Sequence, residues 1–206
     1  PRLDGRRALV TGGNRGIGLV MAEAIAACDG DVAIWGRNSD TNANAVETLS
    51  KLGTGRVRAL SVDVADENQV VDAMKETAAQ MGRIDNVFAN AGVGFGASSF
   101  VDMDTETYRK NMSVNLDGAF WTLREACKHI IERAKAGDPG GSLVGVASLA
   151  AIEGAGRNQA YAATKGGLIS MLKATAVEYA RYGIRANAIL PGWIATDMTE
   201  AAQGND

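Results

Sequence analysis

The segment Tyr161-Ala162-Ala163-Thr164-Lys165 sets a phenol and an ammonium group four residues apart, one helical turn and on one face if the segment is helical. A phenol, with its pKa of ~10, is a poor proton donor or acceptor near neutrality. A neighbouring cation stabilises the phenolate and draws the pKa toward the working range, which is what general acid–base catalysis requires. Thirteen residues before the tyrosine, Ser148 follows the apolar run Leu143 to Ala147. A hydroxyl there can hold a carbonyl or alcohol oxygen against the phenol, while the lysine can also bond ribose hydroxyls. Alone, such a pair equally suits an exposed helix face, so its weight depends on its company.

That company is a glycine cluster. Thr11-Gly12-Gly13-Asn14-Arg15-Gly16-Ile17-Gly18 follows the apolar run Arg7 to Val10 and precedes the helical run Leu19 to Cys28. Gly12, Gly16 and Gly18 are spaced GxxxGxG rather than GxGxxG, with the same physical logic. Missing β-carbons permit a tight turn and a close backbone approach to a pyrophosphate, and the following helix offers its free N–H groups and positive dipole end. Asn14, Arg15 and Ile17 fall in the same loop. Without Gly-Lys-Ser/Thr it is no mononucleotide P-loop. The second apolar run ends Trp35-Gly36-Arg37-Asn38, where an acidic residue would select NAD by binding ribose hydroxyls. Arg37, with Arg15 converging from the glycine loop, instead suits a 2′-phosphate. The expected cofactor is NADP(H), with NAD(H) the alternative and two solvated arginines the bland reading. Asp63, with Val64 beside it, ends the third run and is placed to meet the adenine amino group, unless it serves a helix N-terminus instead.

Positioning these groups requires an α/β frame. Apolar runs at 7–10, 32–35, 57–62, 87–89, 143–147 and 186–190 predict strands, several apolar throughout as in a sheet covered on both faces. Helical patterns lie between them at about 16–28, 41–52, 66–81, 104–136 (two helices) and 159–182. Strand–helix alternation implies βαβ units, a doubly wound parallel sheet and right-handed crossovers. The Gly-Pro-rich stretch Ala134 to Gly141 reads as a loop, so the chain is one domain.

Of 206 residues, 46% are hydrophobic and 22% charged, with net charge −3. This argues against a broad electrostatic footprint for nucleic acid or anionic membrane. No apolar run reaches the ~18 residues of a membrane span, and cytoplasm is the default compartment. Cys28 and Cys127 lie in apolar helical stretches and read as buried thiols. His129 is the single histidine and reads as helix surface. No His/Cys cluster exists to bind a metal.

Taken together these motifs resemble the short-chain dehydrogenase/reductase family, in order and over essentially the whole chain. The resemblance implies a Rossmann-type sheet in the order 3-2-1-4-5-6. The family's glycine motif matches Gly12, Gly16 and Gly18, and its Asn-Ala-Gly motif matches Asn90-Ala91-Gly92. Its catalytic tetrad falls on Asn115, Ser148, Tyr161 and Lys165. The segment Pro191-Gly192-Trp193-Ile194-Ala195-Thr196 matches the one that binds the nicotinamide carboxamide. By this resemblance Tyr161 is the general acid/base, and Lys165 lowers its pKa and holds the nicotinamide ribose. Ser148 orients the reacting oxygen, Asn115 holds a water in a proton relay to Lys165, and Asn90 braces the sheet.

The resemblance further implies an alcohol/ketone oxidoreductase near 3-oxoacyl-thioester reductases and sugar or polyol dehydrogenases. The alternative is a catalytically idle cofactor-binding regulator or scaffold, against which the intact tetrad argues. Substrate groups are expected at Gly92 to Gly96, Leu149 to Glu153 and Asp197 onward, with Phe95, Ile152 and Trp193 giving a partly apolar pocket. Apolar residues on more than one side of the helix from Tyr161 to Tyr182 leave a stripe for a partner, and the resemblance implies a homotetramer, with dimer second. The chain stops short of the family's usual length. We therefore expect an incomplete C-terminal segment lacking the seventh strand.

Overall fold

In the computed structural model the described residues are 2–194; Pro1 and residues 195–206, which include the expected site residue Thr196 and the substrate segment from Asp197, lie outside them. The described elements run β1 (Arg7–Thr11), α1 (Gly16–Ala27), β2 (Asp31–Gly36), α2 (Ser39–Leu49), β3 (Val57–Ser61), α3 (Glu67–Met81), β4 (Asn86–Ala89), α4 (Thr105–Met112), α5 (Gly118–Lys135), β5 (Gly141–Val146), α6 (Ala150–Glu153), α7 (Gln159–Tyr179) and β6 (Ile184–Ile189). All six strands are parallel, in the order β3-β2-β1-β4-β5-β6. The order reverses between β1 and β4, so the loops leaving their carboxyl ends diverge and open a crevice, where ligands bind in such sheets.

Successive strand residues face opposite layers. Leu9, Ala33 and Trp35 join a core with Val70, Met74 and Leu123 from α3 and α5. Val10, Val32 and Ile34 join a second core with Ala22, Ile25, Ala45 and Leu49 from α1 and α2. Burial on both faces explains the continuous apolar runs of these strands. Trp35, fully buried, spends its one polar atom by donating from Nε1 to Thr77 Oγ1 at 2.9 Å.

Several elements depart from the pattern read in the sequence. β5 begins at Gly141, earlier than its apolar run, because Gly141 and Ser142 pair with Ile184 and Arg185 despite their small side chains. The 104–136 stretch is two helices, joined without a break by a π-helical turn at Ser113–Asp117. Such a turn inserts an extra residue, which hydrophobic periodicity does not register. α7 ends at Tyr179 and tightens into a 3₁₀ turn at Ala180–Tyr182, closed by Gly183 at φ 72°. α6 was not expected, since four residues carry no readable period.

The helix that carries Tyr161 and Lys165 is seated by an absence. A β-carbon on Gly145 of β5 would stand 2.6 Å from Leu172 Cδ1 and 3.1 Å from Leu168 Cδ1. The bare strand lets α7 lie directly on β5, through Ala160, Thr164, Lys165, Leu168 and Leu172. The second apolar stripe leaves Val177 84% exposed.

Two small readings change. Cys28 is only half-buried, because it caps the end of α1, while Cys127 is buried and its thiol is pushed up to about 11 by desolvation and by Glu178. His129 is not surface: half-buried on α5, its Nε2 accepts a hydrogen bond from the Ile84 N–H at 3.1 Å and so ties α5 to the entry of β4. Burial first, then Arg133, hold its pKa below the ordinary 6.5. The unfolded chain therefore takes up the proton before the folded one does. This contribution to stability is complete above ~6.5 and is lost as pH falls through the lower folded value. Urea unfolding between pH 5 and 8 should show a steeper acid loss for wild type than for His129→Gln. Equal slopes would remove His129 as the source.

Candidate functional site

The crevice at the carboxyl ends of β1, β4 and β5 is a cleft of about 860 Å³. One wall is the turn between β1 and α1. Gly12 and Gly16 sit at φ 63° and 53°, in the left-handed region that glycine adopts without strain. A β-carbon on Gly18 would collide with the Gly12 carbonyl oxygen and Asn90 Nδ2, so α1 can begin hard against the turn only because that carbon is missing. The residue before α1 is Arg15, whose side chain does not cap the helix. Its first-turn amides and the positive end of its dipole face the cleft, as at anion-binding helix termini.

Beneath the turn lies a hydrogen-bonded knot. Thr11 Oγ1 accepts from the N–H groups of Asn90 and Ala91, both at 3.0 Å, and the Asn90 amide donates to the carbonyls of Thr11 and Gly12 at 2.9 and 3.3 Å. The diverging ends of β1 and β4 are thus cross-linked at the point where a ligand would push them apart. Asn14 is buried and donates to Asn42 Oδ1 at 2.8 Å; Asn42 in turn donates to the Gly36 and Leu60 carbonyls at 2.9 and 3.2 Å. Asn14 therefore braces the turn against β2 and β3 as well as lining the cleft.

Arg15 and Arg37 are both exposed at the cleft rim, with Ile17 between the glycines. Among the described residues neither guanidinium is held by a carboxylate. Asp63 and Val64 line the same end. The Asp63 carboxylate accepts from the Ala65 N–H at 3.0 Å, while Asp66, not Asp63, caps α3.

At the other end Ser148, Tyr161, Lys165, Ala91 and Gly92 meet with Pro191, Gly192 and Ile194. Lys165 is 4% exposed and donates from Nζ to the Val146 carbonyl at 2.8 Å. Desolvation pushes its pKa down to about 8. Its ammonium stands 5.6 Å from the centre of the Tyr161 ring. Burial raises the Tyr161 phenol above its ordinary value of 10, and a hydrogen bond with Ser148 acts in the opposite direction. Burial thus outweighs the Ser148 hydrogen bond in setting the phenol.

Asn115 sits in the π-helical turn with its side chain committed: Oδ1 accepts from the Val93 N–H and Nδ2 donates to the Val93 carbonyl, both at 2.8 Å. Phe95 lines the cleft, as expected of a substrate-side residue. Ile152 does not. It lines a separate hollow between α7 and β6, because α6 turns it outward. Trp193 is 84% exposed and is not a cleft residue, since it alternates with Gly192 and Ile194, which are. Sequence reasoning missed Thr11, Asn42 and Asn111. The last was detectable, for it stands four residues before Asn115, as Tyr161 stands before Lys165.

Because the folded pKa of Lys165 lies below the unfolded one, its charge costs stability at neutral pH. That cost is relieved as pH rises from about 8 toward 10.5. A ¹³Cε titration of the lysines should show one midpoint near 8 that vanishes in Lys165→Met. All lysines titrating near 10.5 would contradict the buried placement.

Comparison with known proteins agrees with this geometry. The family model for short chain dehydrogenase matches residues 6–206. The 3-oxoacyl-[acyl-carrier-protein] reductase FabG of Chlamydia pneumoniae is 34% identical over 203 residues, 98% of this chain and 79% of that protein. The NADP-dependent (R)-specific alcohol dehydrogenase of Lentilactobacillus kefiri is 34% identical over 205 residues, again 98% and 79%. A solved NAD⁺-bound xylitol dehydrogenase has TM-score 0.92 and 27% identity, covering 98% of this chain and 76% of its own. One of these is NADP-dependent by name and another was solved with NAD⁺, so the comparison supports NAD(P) chemistry in general. The crevice at the strand-order reversal, the glycine turn and the matched sequence thus agree: this chain belongs to the short-chain dehydrogenase/reductase family of oxidoreductases acting on CH–OH groups.

Proposed function

We propose that the protein interconverts a ketone and a secondary alcohol using NADP(H), with Tyr161 passing the proton. The observation that carries this reading is that Ser148, Tyr161 and Lys165, from β5's end and α7, line one cleft with the glycine turn. The cleft suits a dinucleotide: a close-approach backbone at Gly12 and Gly18 and uncapped α1 amides for the pyrophosphate. The nicotinamide cofactor, when bound, supplies or accepts the hydride at the carbonyl carbon.

What this chain's residues do follows from their chemistry. Gly12, Asn14, Ile17, Ala91, Pro191, Gly192 and Ile194 shape the dinucleotide cradle, with Asp63 and Val64 at its adenine end. Lys165 holds ribose hydroxyls and keeps a positive charge beside the phenol. Ser148 donates a hydrogen bond to the reacting oxygen. Tyr161, whose raised pKa keeps it protonated near neutrality, gives its proton to that oxygen in reduction and is recharged through Lys165 and a water at Asn115. The Asn115 side-chain amide is at the same time bonded to both backbone groups of Val93. Exposed Arg15 and Arg37, without carboxylate partners among the described residues, are the groups for a 2′-phosphate. Assembly into a homotetramer, with a dimer as the smaller form, would cover Val177 on α7, which is 84% exposed.

Loss of NADPH absorbance with a panel of ketones tests the chemistry. Tyr161→Phe should lose about 10²–10⁴-fold in turnover while NADPH still binds; equal rates would refute the role of Tyr161. Arg37→Asp should weaken NADPH far more than NADH, and an unchanged preference would refute the 2′-phosphate assignment.

A further inference from the structure

The segment after β4 reads Gly92-Val93-Gly94-Phe95-Gly96-Ala97, so every second residue lacks a side chain and the backbone has little stiffness of its own. It belongs to no strand of the sheet, yet it lines the same cleft as Tyr161 through Val93 and Phe95. Its backbone groups are taken up by two asparagines. Asn115 holds both the N–H and the C=O of Val93. Asn111, fully buried on α4, does the same two residues on: Oδ1 accepts from the Phe95 N–H at 3.3 Å, and Nδ2 donates to the Phe95 carbonyl at 2.8 Å. Nδ2 also donates to the Thr107 carbonyl at 3.0 Å, which holds the amide plane on its own helix.

The spacing has a geometric reason. Four helical residues rise about 6.0 Å, and two residues of extended chain advance about 6.4–6.8 Å. Asparagines at i and i+4 can therefore address alternate residues of an extended segment, each amide offering the acceptor and donor that a neighbouring strand would. Further on, the Ala97 N–H donates to the Arg157 carbonyl at 2.9 Å, and a β-carbon on Gly96 would come within 3.0 Å of Asn158 Oδ1. The loop is thus fixed along its length, with Asn111 holding the residue that carries the aromatic ring.

We infer that Asn111 is a positioning residue for the reaction: by clamping both backbone groups of Phe95 it sets the ring as the wall for the group attached to the substrate carbonyl, and so sets selectivity for ketones bearing a flat or cyclic apolar group. The inference rests on the proposed ketone–alcohol chemistry for its substrate, but the clamp itself is testable without turnover. Asn111 touches neither substrate nor cofactor in this scheme; it acts through Phe95.

Two measurements decide it. Hydrogen exchange on the wild-type protein should show the Phe95 amide protected, and Asn111→Leu should release Phe95 while leaving the Val93 amide protected. A Phe95 amide that exchanges freely in wild type, or one equally protected in the variant, refutes the clamp whatever the enzyme does. Steady-state kinetics with acetophenone and cyclohexanone against butanone should show KM for the ring-bearing ketones rising at least 10-fold in Asn111→Leu. kcat for butanone and NADPH binding should stay within about 3-fold. Asn111→Asp, which keeps an acceptor for the Phe95 N–H and loses the donor to its carbonyl, should fall between and covers the case in which the leucine variant does not fold. Phe95→Ala should reproduce the selectivity change, and Asn111→Leu added to it should change selectivity no further. Equal losses on all three ketones, or additive effects of the two substitutions, would make Asn111 a stability residue only. If Tyr161→Phe leaves turnover unchanged, the chemistry fails separately, and the exchange result still judges the clamp.

Discussion

The site depends on a cation that the fold has buried with a single backbone partner. Lys165 is almost wholly removed from water, its Nζ donates to the Val146 carbonyl, and no ion pair with a carboxylate holds it among the described residues. A charge in such surroundings is expensive, which is why its pKa falls to about 8. The cost persists because α7 is seated on β5 by Leu168 and Leu172 against the bare Gly145, leaving the lysine little room to reach solvent. Apolar packing elsewhere on the helix offsets an unfavourable electrostatic placement at its start, as functional sites commonly require.

The same economy governs the loops. Two backbone stretches must come close to a ligand, the turn after β1 and the segment after β4, and both are rich in glycine, which leaves them weakly determined by their own conformational preferences. Side-chain amides make up the deficit. Asn14 with Asn42 holds the glycine turn to β2 and β3, Asn90 with Thr11 locks β1 to β4, and Asn115 with Asn111 holds Val93 and Phe95. An amide carries both a donor and an acceptor, so it can satisfy a peptide unit without adding charge to the cleft. Arg15 and Arg37 lie at one end of the cleft and Tyr161 with Lys165 at the other, in a frame of uncharged amides.

Much of this was legible along the chain. The apolar runs located the six described strands, most plainly β1 and β2, which are buried on both faces, and their alternation with helices dictated a parallel sheet. Gly12, Gly16 and Gly18, and the Tyr161–Lys165 pair, stood out because their physical requirements are local: a left-handed backbone, a missing β-carbon, one helical turn. What stayed hidden was non-local. Thr11 and Asn42 look like any polar residue beside a strand or on a helix, and their partners lie far away in sequence. His129 carries a helix-surface pattern, and its acceptor role exists only because α5 packs beside the entry to β4.

The sequence by itself determined the strands and the long helices, the single domain, the parallel sheet and a residue set chemically suited to proton transfer. These follow from periodicity and side-chain type, which act over a few residues. Tertiary structure alone decided which of those groups are dry, which amides are already spoken for, and which apolar loop residues face the cleft. Phe95, its backbone held by Asn111, lines the cleft, whereas Ile152 and Trp193, no less apolar, do not. The protonation of Tyr161 was decided there too. Desolvation depends on everything packed around the phenol, and here it outweighs the hydrogen bond with Ser148.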